Sequence, residues 1–155
     1  MIHGREKIRI EELNDTAESF SEMIRDVRMG LLDVPKGLSP WPKYFYDERG
    51  SKLFEEIMAL PEYYQARVEL SILHEMADEI VERARYRELI ELGSGSASKT
   101  RALLDAMPNT SGRSGGALRH VPLDVSESVL RGSAKRLLEE YPGLEISGFV
   151  GDFDR

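Results

Sequence analysis

The chain has 155 residues, 41% of them apolar and 32% charged, enough for one globular domain with a real core. It contains no cysteine, which excludes disulfides, thiolate metal sites and cysteine nucleophiles and fits a cytoplasmic setting. No apolar run reaches transmembrane length, Met1 to Lys7 lead into no apolar stretch of the secretory-signal kind, and a formal net charge of -7 argues against a membrane or a nucleic acid as the main partner.

In chain order, residues 11–31 place Leu13, Phe20, Met23, Ile24, Val27 and Leu31 at spacings near three and four. This predicts an amphipathic helix, capped by Asn14 or Asp15 and ending near Gly30. Pro35, Gly37, Pro40 and Pro42 make 34–42 an extended connector. An aromatic cluster follows: Trp41, Tyr44, Phe45 and Tyr46. A short helix after Gly50-Ser51 is expected to bury Leu53, Phe54, Ile57, Met58 and Leu60, and Pro61 ends it. A longer helix is predicted over 66–84, with a stripe of Leu70, Leu73, Ala77, Ile80 and Val81.

Beyond this the texture changes. Residues 88–92 read as a short strand entering a glycine loop, and 100–107 as the next helix. The stretch 108–116 is rich in Pro, Asn, Ser and Gly and reads as a flexible loop. A second strand is predicted over 120–124. Ser126 is a candidate N-cap for a helix reaching Glu140, stopped by Pro142-Gly143. A third strand covers 144–150. Alternating strands and helices imply parallel pairing with right-handed crossovers. The expected fold class is α/β: one mononucleotide-binding half of a doubly wound, Rossmann-like sheet, in spatial order third, second, first. In a complete sheet of this kind the first strand is central. Here it would be an edge with unpaired backbone groups, so the expectation is a truncated or split polypeptide.

A strand ending in Gly-x-Gly brings backbone close to a ligand at the carboxyl edge of a sheet. Glu91-Leu92-Gly93-Ser94-Gly95-Ser96 admits three readings. A dinucleotide fingerprint would need glycine where Ser98 stands, and would set a pyrophosphate beside Glu91. A P-loop, Gly93 to Thr100, also has Ser98 in place of its second glycine, although Lys99-Thr100 fits and Asp152 could serve as the magnesium-binding aspartate. An S-adenosylmethionine site needs close glycine backbone, a carboxylate after the second strand for the ribose hydroxyls, and a polar group with a flat apolar surface for adenine. Gly93 and Gly95, Asp124, and Asp152-Phe153 supply these in order at successive strand ends. Lys99 is a candidate partner for the cofactor carboxylate. Each residue also has a plainer reading. Asp124 before Ser126 is a common turn or cap arrangement, Phe153 a core aromatic, and Lys99 a solvated cation.

The stretch Lys43-Tyr44-Phe45-Tyr46-Asp47-Glu48-Arg49-Gly50-Ser51-Lys52-Leu53-Phe54-Glu55 resembles the N-terminal region of the L-histidine N-alpha-methyltransferases of ergothioneine biosynthesis. Leu60-Pro61-Glu62-Tyr63-Tyr64, the glycine loop with Lys99-Thr100, Asp124 and Gly151-Asp152-Phe153 continue the likeness. The resemblance implies a class I methyltransferase fold whose second domain closes over histidine. It implies that Gly93, Lys99, Asp124, Asp152 and Phe153 contact S-adenosylmethionine, that Tyr63 contacts the substrate, L-histidine or a related amino acid, and that Tyr46 lies near the reacting amine. Residues 1–86 would then be an N-terminal helical segment on the substrate side, and 87–155 the first half of the cofactor domain. Methyl transfer from a sulfonium is an in-line displacement, so positioning dominates and no catalytic side chain is named. His3, His74 and His120 show no metal-ligand spacing. The family's chains are longer, and 109–119 reads as a surface insertion. The alternatives are a non-catalytic or split-chain module needing a C-terminal half chain, and a P-loop-type nucleotide-binding protein.

Overall fold

The computed structural model describes residues 7–13, 16–37, 41–86, 88–111 and 118–152. The elements are β1 (Ile8–Glu12), α1 (Thr16–Leu32), a 3-10 helix (Trp41–Phe45), α2 (Glu48–Ala59), α3 (Tyr64–Ala84), β2 (Glu88–Leu92), α4 (Ser98–Ser111), β3 (Leu118–Asp124), α5 (Glu127–Glu140) and β4 (Leu144–Val150). No helix among the described residues is long and apolar enough to cross a membrane.

The sheet is parallel throughout, with order β1-β4-β3-β2. The predicted order of the last three strands holds, and β2 is an edge. The fourth strand, β1, lies beyond β4, pairing Ile8 with Ile146 and Ile10 with Gly148. The expectation of three strands is therefore corrected to four. Ile8 and Ile10 turn inward while Arg9 and Glu11 are exposed, the period-two alternation of a half-buried strand. The chain leaves β1 through a bond from the Leu13 N–H to the Val150 carbonyl, 2.9 Å. Leu13 packs beside Gly151, where a Cβ would come within 3.1 Å of the leucine Cβ. Leu13 thus follows β1 and is not on α1. The proposed caps Asn14 and Asp15 lie outside the described residues.

The core sits on one face of the sheet. Leu104 of α4, Leu130 and Leu137 of α5, and Leu144 and Ile146 of β4 are almost wholly enclosed, and α3 adds Ala77 and Val81 over α4. Gly148 makes room for Leu130, whose Cδ2 would lie 2.9 Å from an added Cβ. The opposite face at the β2 edge is open, with Ile90 65% and Leu92 63% exposed. Parallel sheets are ordinarily covered on both faces.

Exposure of apolar side chains also corrects two predicted stripes. On α2, Leu53 and Ile57 are exposed, as is Leu60 just beyond it, and only Phe54 and Met58 are half-buried. On α3, Ile80 is exposed. The helical periodicity was legible, but part of each apolar face has no partner among the described residues. α4 runs through Pro108 to Ser111, past the expected end at residue 107, and 112–117 of the expected loop lie outside the described residues. α5 follows Ser126 as expected, but the Ser126 side chain makes no cap bond. Its N–H instead donates to Asp124 Oδ1, 2.9 Å.

Candidate functional site

The carboxyl ends of β2, β3 and β4 converge on Asp124. This residue is 8% exposed. Oδ2 accepts from the Gly95 N–H at 2.8 Å and Oδ1 from the Ser126 N–H. Its carbonyl accepts from the Gly151 N–H at 3.0 Å. One residue therefore ties the glycine loop to the start of α5 and to the end of β4. The turn role and a ligand role are compatible, because each carboxylate oxygen has further acceptor capacity.

The loop turns through left-handed backbone at Gly93 (φ 69°) and Gly95 (φ 48°), which glycine adopts without steric penalty. A Cβ at either position would meet nothing within 4 Å. Close packing therefore does not explain these glycines; the backbone conformation and the open space above it do. Ala97 adopts φ 59° while fully buried, strain of the kind that clusters at ligand sites. The Gly93 N–H donates to the Leu123 carbonyl at 2.8 Å, so β3 anchors the loop at both ends.

This loop forms the floor of a cavity of about 660 Å³, walled by α2, α3, α4 and the 3-10 helix, within the size range of small-molecule sites. Among the described residues, five carboxylates line it (Glu55, Glu69, Glu91, Asp124 and Asp152) against two ammonium groups, Lys43 and Lys99. Both cations are already paired. Lys99 Nζ donates to Glu69 Oε2 at 2.6 Å, tying α4 to α3. Lys43 Nζ lies 2.8 Å from Asp152 Oδ2 and 3.8 Å from Glu22. A polyphosphate would enter a field of the wrong sign. This removes the attraction of the P-loop and dinucleotide readings and favours a ligand carrying positive charge.

Sequence reasoning missed the wall made by the 3-10 helix. The bond to Asp152 raises the Lys43 ammonium above its ordinary pKa, with burial opposing. The neighbouring Tyr44 hydroxyl donates to Asp26 Oδ2 at 2.7 Å, and burial together with that carboxylate pushes the phenol up to about 12. These contacts pin the 3-10 helix to α1 and to Asp152, two residues beyond β4. Lys43→Met should cost about 1 kcal/mol, the upper end for a partly exposed ion pair, seen as a melting midpoint lower by about 2–4 °C. Because the folded-state Lys43 pKa is raised, its contribution is complete below the ordinary lysine value of 10.5 and fades as pH rises through the higher folded value. Melts at pH 7 and pH 9 should show the same deficit. A deficit present at pH 7 and gone by pH 9 would contradict this account.

Phe54 projects from α2 into the cavity, flanked edge-on by Tyr46 at 5.6 Å and Tyr63 at 6.0 Å between ring centroids. Tyr63 occupies the N-cap position of α3. It does not itself line the cavity and reaches it through Phe54. Phe153 lies outside the described residues. A second missed feature is polar: Glu91 Oε2 accepts from Thr100 Oγ at 2.5 Å and meets His120 Nε2 at 3.1 Å.

Parallel strands, a glycine turn and acidic strand ends over a negative cleft define a Rossmann-like domain with its cleft at the carboxyl edge of the sheet. Residues 23–155 match the family described as histidine-specific methyltransferase, SAM-dependent, and the chain belongs to that family. It is 47% identical over 140 residues to the histidine N-alpha-methyltransferase of Mycolicibacterium smegmatis, covering 89% of this chain and 41% of that protein. It is 46% identical over 130 residues to the Mycobacterium tuberculosis protein of the same name, covering 84% of this chain and 39% of that protein. Ergothioneine biosynthesis protein 1 of Schizosaccharomyces pombe is 36% identical over 116 residues, covering 71% of this chain and 14% of that protein. The chain thus spans about two-fifths of the length of the mycobacterial relatives it matches.

Proposed function

We propose that this chain is the cofactor-binding part of an S-adenosylmethionine-dependent N-methyltransferase acting on the alpha-amino group of L-histidine. The observation that carries the reading is the carboxylate-rich cavity above the Gly93–Gly95 turn, with Asp124 at its centre. The cofactor, when bound, supplies an electrophilic methyl group on a sulfonium. In this reading Gly93 brings backbone close to the methionine end, and Asp124 accepts from the ribose hydroxyls. Asp152 and Phe153 hold adenine. Lys99 exchanges Glu69 for the cofactor carboxylate. Tyr63, with Tyr46 across Phe54, belongs to the histidine side. Residues 1–86 contribute to that side, and 87–155 form the first half of the cofactor domain. The chain's task is to hold donor and amine in line, where orientation accounts for most of the rate. The absence of cysteine supports a cytoplasmic setting.

Calorimetry with S-adenosylhomocysteine tests this. Saturable binding is expected, together with no thermal stabilisation by ATP and magnesium. Absence of binding, alone and with the C-terminal portion of a mycobacterial relative added, would overturn the reading.

The open β2 edge favours a second reading, in which the chain acts only with a partner that supplies further strands and the cover for Ile90 and Leu92. Steady histidine methylation by the 155-residue chain alone would refute it.

A further inference from the structure

We propose that His120 is a positioning residue that fixes the Glu91 carboxylate, so that Glu91 presents one oxygen to a cationic group of the ligand; this rests on the cofactor reading above. Glu91 stands at the end of β2, two residues before Gly93, and lines the cavity with a side chain 22% exposed. Both of its hydrogen bonds within the described residues fall on Oε2, one from the Thr100 hydroxyl and one from His120 Nε2. Two donors on one oxygen fix the plane and rotation of a carboxylate. Oε1 is left for the cavity. With five carboxylates and two already paired ammonium groups around it among the described residues, an oriented carboxylate here suits the ammonium of an amino-acid-like ligand, which S-adenosylhomocysteine also carries.

His120 is a poor choice for a merely structural role. It is 1% exposed, in the middle of β3. Facing a carboxylate oxygen, Nε2 carries the proton, which leaves Nδ1 buried with no partner among the described residues. Burying an unpaired polar nitrogen opposes folding. An apolar residue at this position would serve the core better, so the benefit of the imidazole lies in the bond to Glu91. Residues 89 and 120 are in register across β2 and β3, so the donor rises from the neighbouring strand. The bond is also absent from any local sequence pattern.

The experiment separates binding from stability. In the full chain, His120→Leu should weaken S-adenosylhomocysteine binding about tenfold while leaving the melting midpoint unchanged or higher. His120→Gln places an amide N–H where Nε2 stood and should restore affinity to within about threefold. His120→Asn places its amide near the position of Nδ1 and should not. In a Glu91→Gln background, His120→Leu should have little further effect. Wild-type binding by His120→Leu, equal loss in the Gln and Asn variants, or an undiminished effect in the Glu91→Gln background would overturn the role. The Gln–Asn comparison decides even where the Leu variant fails to fold. If the unsubstituted chain binds no S-adenosylhomocysteine, the cofactor reading itself has failed and this role with it. A nitrogen-15 spectrum gives an independent check, with Nε2 protonated and its signal moved by Glu91→Gln. A proton on Nδ1 instead would also overturn it.

Discussion

Asp124→Ala is expected to lower stability by about 2–4 kcal/mol and to weaken S-adenosylhomocysteine binding at least a hundredfold. The substitution removes the acceptor for two backbone N–H groups at once, Gly95 and Ser126. Each donor left buried without an acceptor costs about 1–3 kcal/mol, and bonds to a charged group lie toward the upper end. Water entering the vacated space recovers part of this, so the sum is less than the maximum. Against a typical total of about 5–15 kcal/mol the loss is large, and it should lower the melting midpoint by about 5–15 °C. Binding suffers twice: the proposed ribose acceptor disappears, and the glycine turn loses its side-chain tie to β3 at Gly95, keeping only the backbone bonds to the Leu123 carbonyl. Asp124→Asn separates the effects. An amide can accept one of the two backbone bonds but sets its own N–H groups against the other, so stability should recover partly while affinity stays low. Ser126→Ala should change little, because the Ser126 side chain makes no cap bond. Urea denaturation and calorimetry on the three variants check this. An Asp124→Ala chain with unchanged midpoint and unchanged affinity would sink it.

Asp124 also shows what kind of information the sequence carried. The β2 and β4 spans were legible as written, because short apolar runs bounded by turn residues have few alternatives. The glycine loop and the acid at the end of β3 were legible by spacing, since strand ends must meet at one edge of a parallel sheet. β1 was not. Its signal is two isoleucines in five residues, and its partner strand lies more than a hundred positions away. Nothing local announces such a pairing. The stripe on α2 was legible as helix and misread as core, because amphipathicity reports that a partner is needed without saying where it lies. Lys43 with Asp152, Lys99 with Glu69 and His120 with Glu91 are products of tertiary placement. In sequence Lys99 and Asp152 stood out as cofactor candidates and the others as ordinary charged or titratable residues, and none of the three pairings was visible. The residues of the family resemblance had already pointed to the 43–55 segment, but not to the ion pair that seats it.

Gly50 is the position where that segment makes its sharpest demand. Read along the chain, Gly50-Ser51 looks like punctuation before a helix. In the structure Gly50 lies within the first turn of α2, with its N–H on the capping Asp47 side chain at 2.7 Å. A Cβ there would fall 1.5 Å from the Phe45 carbonyl oxygen and 2.7 Å from its carbon. Those are backbone atoms, so no side-chain rotation relieves the contact. On propensity alone, alanine in place of a helical glycine gains about 1 kcal/mol. Here the sign should reverse. Gly50→Ala must push the 3-10 helix away from α2, and we expect a loss of about 2–3 kcal/mol, in the range of other overpacked sites. The displacement should reach the cavity, because Ser51 Oγ donates to the Tyr46 carbonyl at 3.2 Å and Lys43 shares the 3-10 helix with Phe45. Affinity for S-adenosylhomocysteine should therefore fall at least tenfold. Gly132 is the matched control. It too is helical, in α5, but a Cβ there meets only the flexible Arg136 Nη1 at 3.5 Å, so Gly132→Ala should stabilise by about 0.5–1 kcal/mol. The same substitution in two helices is thus expected to move urea midpoints in opposite directions. If both variants were stabilised, the close approach of α2 to the Phe45 carbonyl would not exist, and the 3-10 wall of the site would have to be redrawn.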